Sequence, residues 1–69
     1  MRNQQLVYMA RVRTKDIVDL LIRQPDQVAT TTQIAEELIV SADVVREGLE
    51  RLRKVNRVDE IAPNMWHLE

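Results

Sequence analysis

The chain has 69 residues, which is enough for one small domain and no more. It contains no cysteine, which excludes disulfide bonds and thiolate metal sites, and aromatic residues make up only 3%, so the core must be built mainly from aliphatic side chains. The 10 lysines and arginines against 11 aspartates and glutamates give a net charge of −1, without the basic excess that is usual in a nucleic-acid-binding module.

The distribution of charge along the chain is more informative than its total. Residues 46–57 hold five basic side chains against two glutamates, and residues 2–15 hold four basic side chains and no acidic one. No apolar run approaches the roughly 20 residues that a membrane-spanning helix needs. The absence of cysteine suits a reducing compartment, so we expect a cytoplasmic protein.

The segment from Thr14 to Gln24 predicts the first helix. Thr14 is its expected N-terminal cap and Pro25 ends the pattern. The preceding residues, 1–13, form an N-terminal extension that fits either a continuation of this helix or a short strand, and we favour the helix. The apolar positions at helical spacing are Ile17, Leu20 and Leu21.

A short extended piece is expected at residues 27–30, and the sequence TTTQIAEEL then predicts a second, shorter helix. Either Thr30 or Thr31 is its N-terminal cap, and Gln33 stands three residues after Thr30, as in a capping box. The expected buried face is Ile34, Ala35 and Leu38.

The third helix is predicted to begin after Ser41, its cap, and to run through about Val55. Asp43 lies in its first turn, where a negative charge is favourable. Asn56 follows, a residue type that can adopt the left-handed conformation in which helices commonly stop. The expected inner face is Val44, Val45, Gly48, Leu49, Leu52 and Val55.

The remaining residues predict a two-stranded hairpin. RVDEI alternates as a strand does, APN is a turn signal, and MWHL is the candidate returning strand. The expected fold class is therefore mainly α with a small β-hairpin, in one domain spanning residues 14–69. The expected core is Ile17, Leu21, Ile34, Leu38, Val45, Leu49, Leu52 and Trp66.

This order of elements resembles the winged helix-turn-helix superfamily of small bacterial transcription regulators, including plasmid, phage and fimbrial types. The resemblance implies three helices and a two-stranded wing. The residues that carry it are Thr31, Ile34, Ala35, Leu38, Val40, Ser41, Val45, Leu49, Leu52, Asn56, Val58 and Trp66.

The chain departs from the family pattern at two places. Ile39 stands at the corner between the second and third helices, where the family often has glycine. Because a β-branched residue disfavours a positive φ, we expect a corner without a left-handed residue there. The predicted wing, residues 59–68, contains no lysine or arginine, so we expect little contact between the wing and a phosphate backbone.

The resemblance implies sequence-specific binding of double-stranded DNA, with the third helix in the major groove. Arg46 is the natural reader of a guanine, through its paired donors. The N-terminus of the second helix could add a phosphate contact. Residues expected to face base edges are Ala42, Asp43, Arg46 and Glu47, beside Ser41, and those expected at phosphates are Arg53, Lys54, Arg57, Thr31 and Thr32.

Two other interpretations stay open at this point. Glu47 with Arg51 and Glu50 with Lys54 have the spacing of ordinary ion pairs on a solvated helix, which would say nothing about DNA. Alternatively, the domain is a winged-helix protein–protein interaction module within a larger assembly. The acidic second helix and the wing without basic residues suit that role.

Catalysis is not expected, because no nucleophile, base and orienting group can be assembled from one histidine and no cysteine. No cofactor or metal is expected either. A homodimer is a further possibility, since short recognition helices often pair across two half-sites. The candidate contact is the apolar patch Leu6, Val7, Tyr8 and Met9, for which packing back on its own domain is an equal alternative.

Overall fold

The computed structural model describes residues 12–69. The patch proposed for dimer contact, residues 6–9, and most of the N-terminal extension lie outside the described residues. Three helices and a three-stranded antiparallel sheet follow one another in the described part. In chain order they are α1 (Thr14–Ile22), a 3-10 turn (Pro25–Gln27), β1 (Val28–Thr30), α2 (Thr31–Leu38), α3 (Ala42–Lys54), β2 (Val58–Ala62) and β3 (Met65–Leu68).

Helix α1 begins one residue earlier than a cap at Thr14 would require. Arg13 occupies the N-cap position and makes no side-chain cap bond, so the prediction that Thr14 caps the helix is wrong. The first turn is instead supported by an exposed ion pair between Arg13 and Asp16, at 3.8 Å. Because Asp16 is the acidic residue of the first turn, it also complements the helix dipole.

Helix α2 has the predicted capping box at its start. The Thr30 hydroxyl accepts from the backbone N–H of Gln33 at 3.0 Å, and the Gln33 side chain accepts from the Thr30 N–H at 2.9 Å. Each bond satisfies a donor that the first turn of a helix would leave unpaired. A helix of only 8 residues therefore has a defined beginning.

The corner after α2 contradicts the expectation from the sequence. Ile39 ends α2 in the left-handed conformation, with φ 58° and ψ 51°, although its side chain is β-branched. This conformation costs a non-glycine residue roughly 1–2 kcal/mol. It is held because the backbone N–H of Ile39 still reaches the carbonyl of Ala35, and the Val40 N–H reaches the same oxygen at 3.1 Å.

Helix α3 begins as predicted, since the Ser41 hydroxyl accepts from the Val44 N–H at 3.2 Å. Its last helical residue is Lys54, and Asn56 follows with a φ of 62°, as expected of a helix stop. The prediction that Val55 belongs to the inner face is wrong: its side chain is 63% exposed. It lies beyond the last helical residue, where the chain has already turned away from the core.

Gly48 allows α1 and α3 to pack closely. A Cβ atom at this position would lie 2.7 Å from Cδ1 of Ile17. The missing side chain at Gly48 therefore leaves room for the Ile17 side chain of α1.

The sheet has three strands rather than the two that were expected. Hairpin β2–β3 forms as predicted, and β1 adds to its free side, giving the order β1-β3-β2. Ala29 pairs with Trp66 on one side of β3, and Glu60 pairs with Trp66 on the other. Trp66 thus lies on the central strand of the sheet, which pairs with β1 along one edge and with β2 along the other.

One core joins the helices to one face of the sheet. Trp66, Ile17 and Leu49 are fully buried, as predicted, whereas Leu38 is only partly buried against the cluster. Core members that were not in the predicted set are Leu20, Ala29, Ala35, Val58 and Leu68.

Within the described residues, no helix is long and apolar enough to cross a membrane.

Leu49→Ala is expected to destabilise the protein strongly, because the Leu49 side chain is fully buried between the helices and the sheet. The expected loss is about 2–5 kcal/mol in the free energy of unfolding, measured by urea denaturation. Val55→Ala is the matched control and should cost far less. Equal effects of the two substitutions would contradict the packing of α3.

Ile39→Asn is expected to stabilise the protein by about 1 kcal/mol, because asparagine tolerates the left-handed conformation better than a β-branched residue does. Little burial is lost, since Ile39 is 80% exposed. Ile61→Asn is the control: Ile61 is also largely exposed but does not have a positive φ. A lower melting temperature for Ile39→Asn than for the unaltered protein would argue against strain at this corner.

Candidate functional site

The outer face of α3 is the largest charged surface that the sequence analysis singled out. Its opposite face packs on the core through Val45, Leu49 and Leu52, so the helix is fixed in orientation. Arg46 is half-buried, at the middle of the outer face. The other predicted contact residues of α3 and its end are exposed: Ala42, Asp43, Glu47, Arg53, Lys54 and Arg57.

Arg46 and Arg53 are held in a cluster with two glutamates. We call Arg46, Glu50, Arg53 and Glu60 the arginine–glutamate cluster. On α3, Glu50 accepts from Arg46 at 3.5 Å and forms an ion pair with Arg53 at 3.5 Å. From β2, Glu60 reaches Arg46 at 3.7 Å and Arg53 at 3.5 Å. Each guanidinium therefore lies between two carboxylates, and the cluster carries no net charge.

The cluster connects α3 to the hairpin. Exposed ion pairs of this kind each stabilise a protein by about 0–1 kcal/mol, and the four side chains are 21–48% exposed. These ion pairs matter mainly because they position the arginine side chains. Glu60 is the one member of the cluster that comes from β2 rather than from α3. It fixes both arginine side chains at the side of α3 that faces β2.

Asn64, in the turn between β2 and β3, completes this arrangement. Its φ of 60° is in the left-handed region, which asparagine tolerates. Its backbone N–H donates to Glu60 Oε2 at 2.8 Å, and its side-chain oxygen accepts from Arg46 Nη2. The Arg46 guanidinium also lies 5.8 Å from the centre of the Trp66 ring, within reach of a cation–π interaction.

Thr31 is buried and bonds to other parts of the protein, although it was predicted to contact a phosphate. Its side chain is 4% exposed, and its hydroxyl accepts from the indole Nε1–H of Trp66 at 2.8 Å. The same hydroxyl donates to the Asn64 side chain at 3.4 Å, and the Thr31 backbone N–H donates to the Asn64 carbonyl at 2.9 Å. These bonds fix the start of α2 against the sheet and leave the hydroxyl engaged inside the protein.

The two other residues predicted to contact DNA at helix starts differ in whether their hydroxyl groups are free to bind a ligand. Thr32 is exposed in the first turn of α2. Ser41 is exposed too, but its hydroxyl already caps α3. The structure therefore brings the third-helix residues and Thr32 to the surface, while the hydroxyls of Thr31 and Ser41 serve the fold.

The ordinary helix pairs that the sequence suggested are replaced by other pairs. Glu50 pairs with Arg46 and Arg53 rather than with Lys54. Among the pairs found in residues 12–69, none joins Glu47 to Arg51. The pairs that form within α3 keep ordinary helix spacing, four residues for Arg46 with Glu50 and three for Glu50 with Arg53. Glu60 adds contacts to both arginines from another element.

Sequence reasoning missed Glu60 and Asn64 as members of this site. A signal for Glu60 was present: it stands two residues after the buried Val58 on an alternating strand, which places both on the same face of β2. No comparable signal existed for Asn64, whose contacts come from three separate elements.

The site offers no metal-binding group, since no cluster of three histidine, cysteine or acidic side chains suitable for a metal ion occurs in the described range. Comparison of the chain with models of protein families, with curated proteins and with solved structures finds no match.

Thr31→Val is expected to lower the free energy of unfolding by about 1–3 kcal/mol, because it leaves the buried Trp66 indole N–H without an acceptor. Valine keeps the shape of the side chain, so the loss reports the hydrogen bond. Thr32→Val, one residue later and exposed, is the control and should lie within about 0.5 kcal/mol of the unaltered protein. Equal stability of the two variants in urea titrations would refute the assigned role of Thr31.

Proposed function

We propose that this protein is a winged helix-turn-helix regulator of transcription that binds double-stranded DNA through α3. The observation that supports this most is the placement of α3. The helix is capped at its start, packed by one face on the core, and exposed along its opposite face beside an antiparallel hairpin. In this reading α2 and α3 are the helix-turn-helix and β2–β3 is the wing. DNA binding would place the protein in a bacterial cytoplasm.

The dimensions of α3 suit a major groove. Its 13 residues extend about 20 Å, and the groove is about 12 Å wide and admits one α-helix. Ala42 and Asp43, at its exposed N-terminal end, would lie nearest the bases, with Glu47 one turn on. Arg46 is the residue best suited to a guanine, because its guanidinium can donate two parallel bonds to the base edge.

Contacts to phosphates would come from the other end of α3. Lys54 and Arg57 are exposed there, and Arg53 is within the arginine–glutamate cluster. Thr32 adds a hydroxyl at the exposed start of α2. We leave Thr31 and the Ser41 hydroxyl out of the proposed interface, because both hydroxyls are engaged in the fold.

The second candidate is a protein–protein interaction module, and the arginine–glutamate cluster favours it. Two of the arginines that would meet DNA are already balanced by Glu50 and Glu60. The wing presents exposed apolar groups, Ile61 and Met65, rather than basic ones. Such a neutral, partly apolar surface would bind a partner protein more readily than it would bind a phosphate backbone.

Titration with a mixed-sequence DNA duplex at several salt concentrations separates the two candidates. A DNA-binding domain should bind at low salt, and the logarithm of its affinity should fall linearly with the logarithm of the salt concentration. An interaction module should show no saturable binding under the same conditions. Absence of binding at the lowest salt would remove the DNA proposal.

Arg46→Ala and Arg53→Ala are expected to affect DNA binding differently. Arg46→Ala should cost about 1–3 kcal/mol on the preferred site and reduce its advantage over random DNA, because a base contact is lost. Arg53→Ala should weaken binding to all sequences alike and reduce the salt slope by about one unit, because a phosphate contact is lost. Fluorescence anisotropy with the preferred duplex and a scrambled duplex measures both quantities.

Arg23→Ala is the matched control, since it removes the same charge from the exposed end of α1. It should leave the preference between the two duplexes unchanged. If all three variants lose affinity to the same small extent, the arginines act only through net charge and α3 does not read bases.

A further inference from the structure

We propose that Glu60 occupies a phosphate site in the free protein and must leave it when DNA binds. The site consists of the guanidinium groups of Arg46 and Arg53 and the backbone N–H of Asn64. The Arg46 guanidinium has five N–H donors, so it would give some of them to this phosphate and the others to a base. This inference rests on the proposed DNA-binding function and adds to it a built-in competitor for the DNA backbone.

The donors around Glu60 are those that proteins use for phosphate. Its Oε1 accepts from Arg53 Nη1 at 3.5 Å. Its Oε2 lies 3.7 Å from Arg46 Nη2 and accepts from the Asn64 N–H at 2.8 Å. Arginine side chains and backbone N–H groups are among the donors that proteins use to contact phosphate oxygens. A carboxylate in this position therefore has the charge and the acceptor geometry of a bound phosphate.

The site lies where a DNA backbone would pass. Arg46 and Arg53 are two turns apart on one side of α3, and Asn64 is at the tip of the hairpin. A groove with α3 inside it has phosphates along its rim, between the helix and the wing. Glu60 is thus positioned between the helix and the tip, with its side chain 21% exposed.

The Glu60 carboxylate can leave the site without any rearrangement of strand β2. Glu60 Cα stays in register with Trp66 whether or not its carboxylate is bound, because the pairing uses backbone groups. Rotation of the Glu60 side chain alone would move the carboxylate into solvent. Glu50 remains on α3 to hold both arginines at 3.5 Å during the exchange.

The exchange makes binding selective at the expense of affinity. Any polyanion attracts two free arginines, but here it must replace a carboxylate that contacts both arginines and Asn64 at once. A duplex that places one phosphate within reach of all three donors can do so. A phosphate that reaches only one of them leaves Glu60 in position.

Glu60→Gln tests the competition with the smallest change in shape. The glutamine oxygen can still accept from the Asn64 N–H, so the turn should be retained, and the melting temperature checks this. Affinity for a mixed-sequence duplex at low salt should rise roughly tenfold, and the salt slope should steepen by about one unit for the added phosphate contact. Glu60→Asp, which shortens the side chain by one methylene and keeps the charge, should show a smaller rise.

Asp59→Asn is the matched control for charge. It removes one negative charge from the adjacent residue of β2, whose exposed side chain points to the opposite side of the strand. It should raise affinity by a smaller factor and leave the salt slope unchanged. If Glu60→Gln and Asp59→Asn have the same affinity and slope, Glu60 acts through general charge and the proposed competition is wrong.

A measurement without DNA separates this inference from the proposed function. The Nε–H resonances of Arg46 and Arg53 should shift on addition of inorganic phosphate at lower concentration in Glu60→Gln than in the unaltered protein. If this occurs while neither protein binds DNA, the anion site stands and the DNA-binding function fails. If the unaltered protein binds DNA but phosphate shifts neither arginine in Glu60→Gln, the DNA-binding function stands and the anion site is refuted.

Discussion

The hydrogen bond between the Trp66 indole and the Thr31 hydroxyl determines how the helices and the sheet fit together. It joins the central strand to the first residue of α2, at 2.8 Å, inside the core. A buried indole N–H needs an acceptor, and a threonine hydroxyl can accept from Trp66 while it donates to Asn64. The start of α2, the middle of the sheet and the tip of the hairpin are therefore fixed relative to one another by one side chain.

The position of α3 follows from this contact. The Trp66 ring forms part of the core on which α3 packs, and on the outer side Arg46 lies over the same ring. The arginine–glutamate cluster then connects the exposed side of α3 to β2. The surface that would meet a partner is thus not a row of independent charges. Its centre, the arginine–glutamate cluster, is a neutral network of bonded groups, so a polyanion that bound there would have to exchange ion pairs.

The corner before α3 contains a strained backbone conformation. Ile39 adopts a left-handed conformation that a β-branched side chain disfavours, and it exposes most of that side chain. The two capping arrangements on either side, at Thr30 and at Ser41, determine where α2 and α3 begin. Ile39 lies in the short connection between them, and its left-handed conformation turns the chain from α2 toward α3.

The sequence by itself determined the three helices, their order and most of the core. Caps such as Ser41 and apolar spacing such as Val45, Leu49 and Leu52 depend on neighbours a few residues away, so they can be read locally. The tertiary structure decided the rest. Strand β1 has 3 residues and no strong pattern, and it exists because β3 offers a free edge. Contacts of Glu60 and Asn64 with Arg46 join residues far apart in the chain, so pairing rules within one helix could not predict them. The left-handed Ile39 likewise arises because the packing of α2 and α3 outweighs the preference of a single residue.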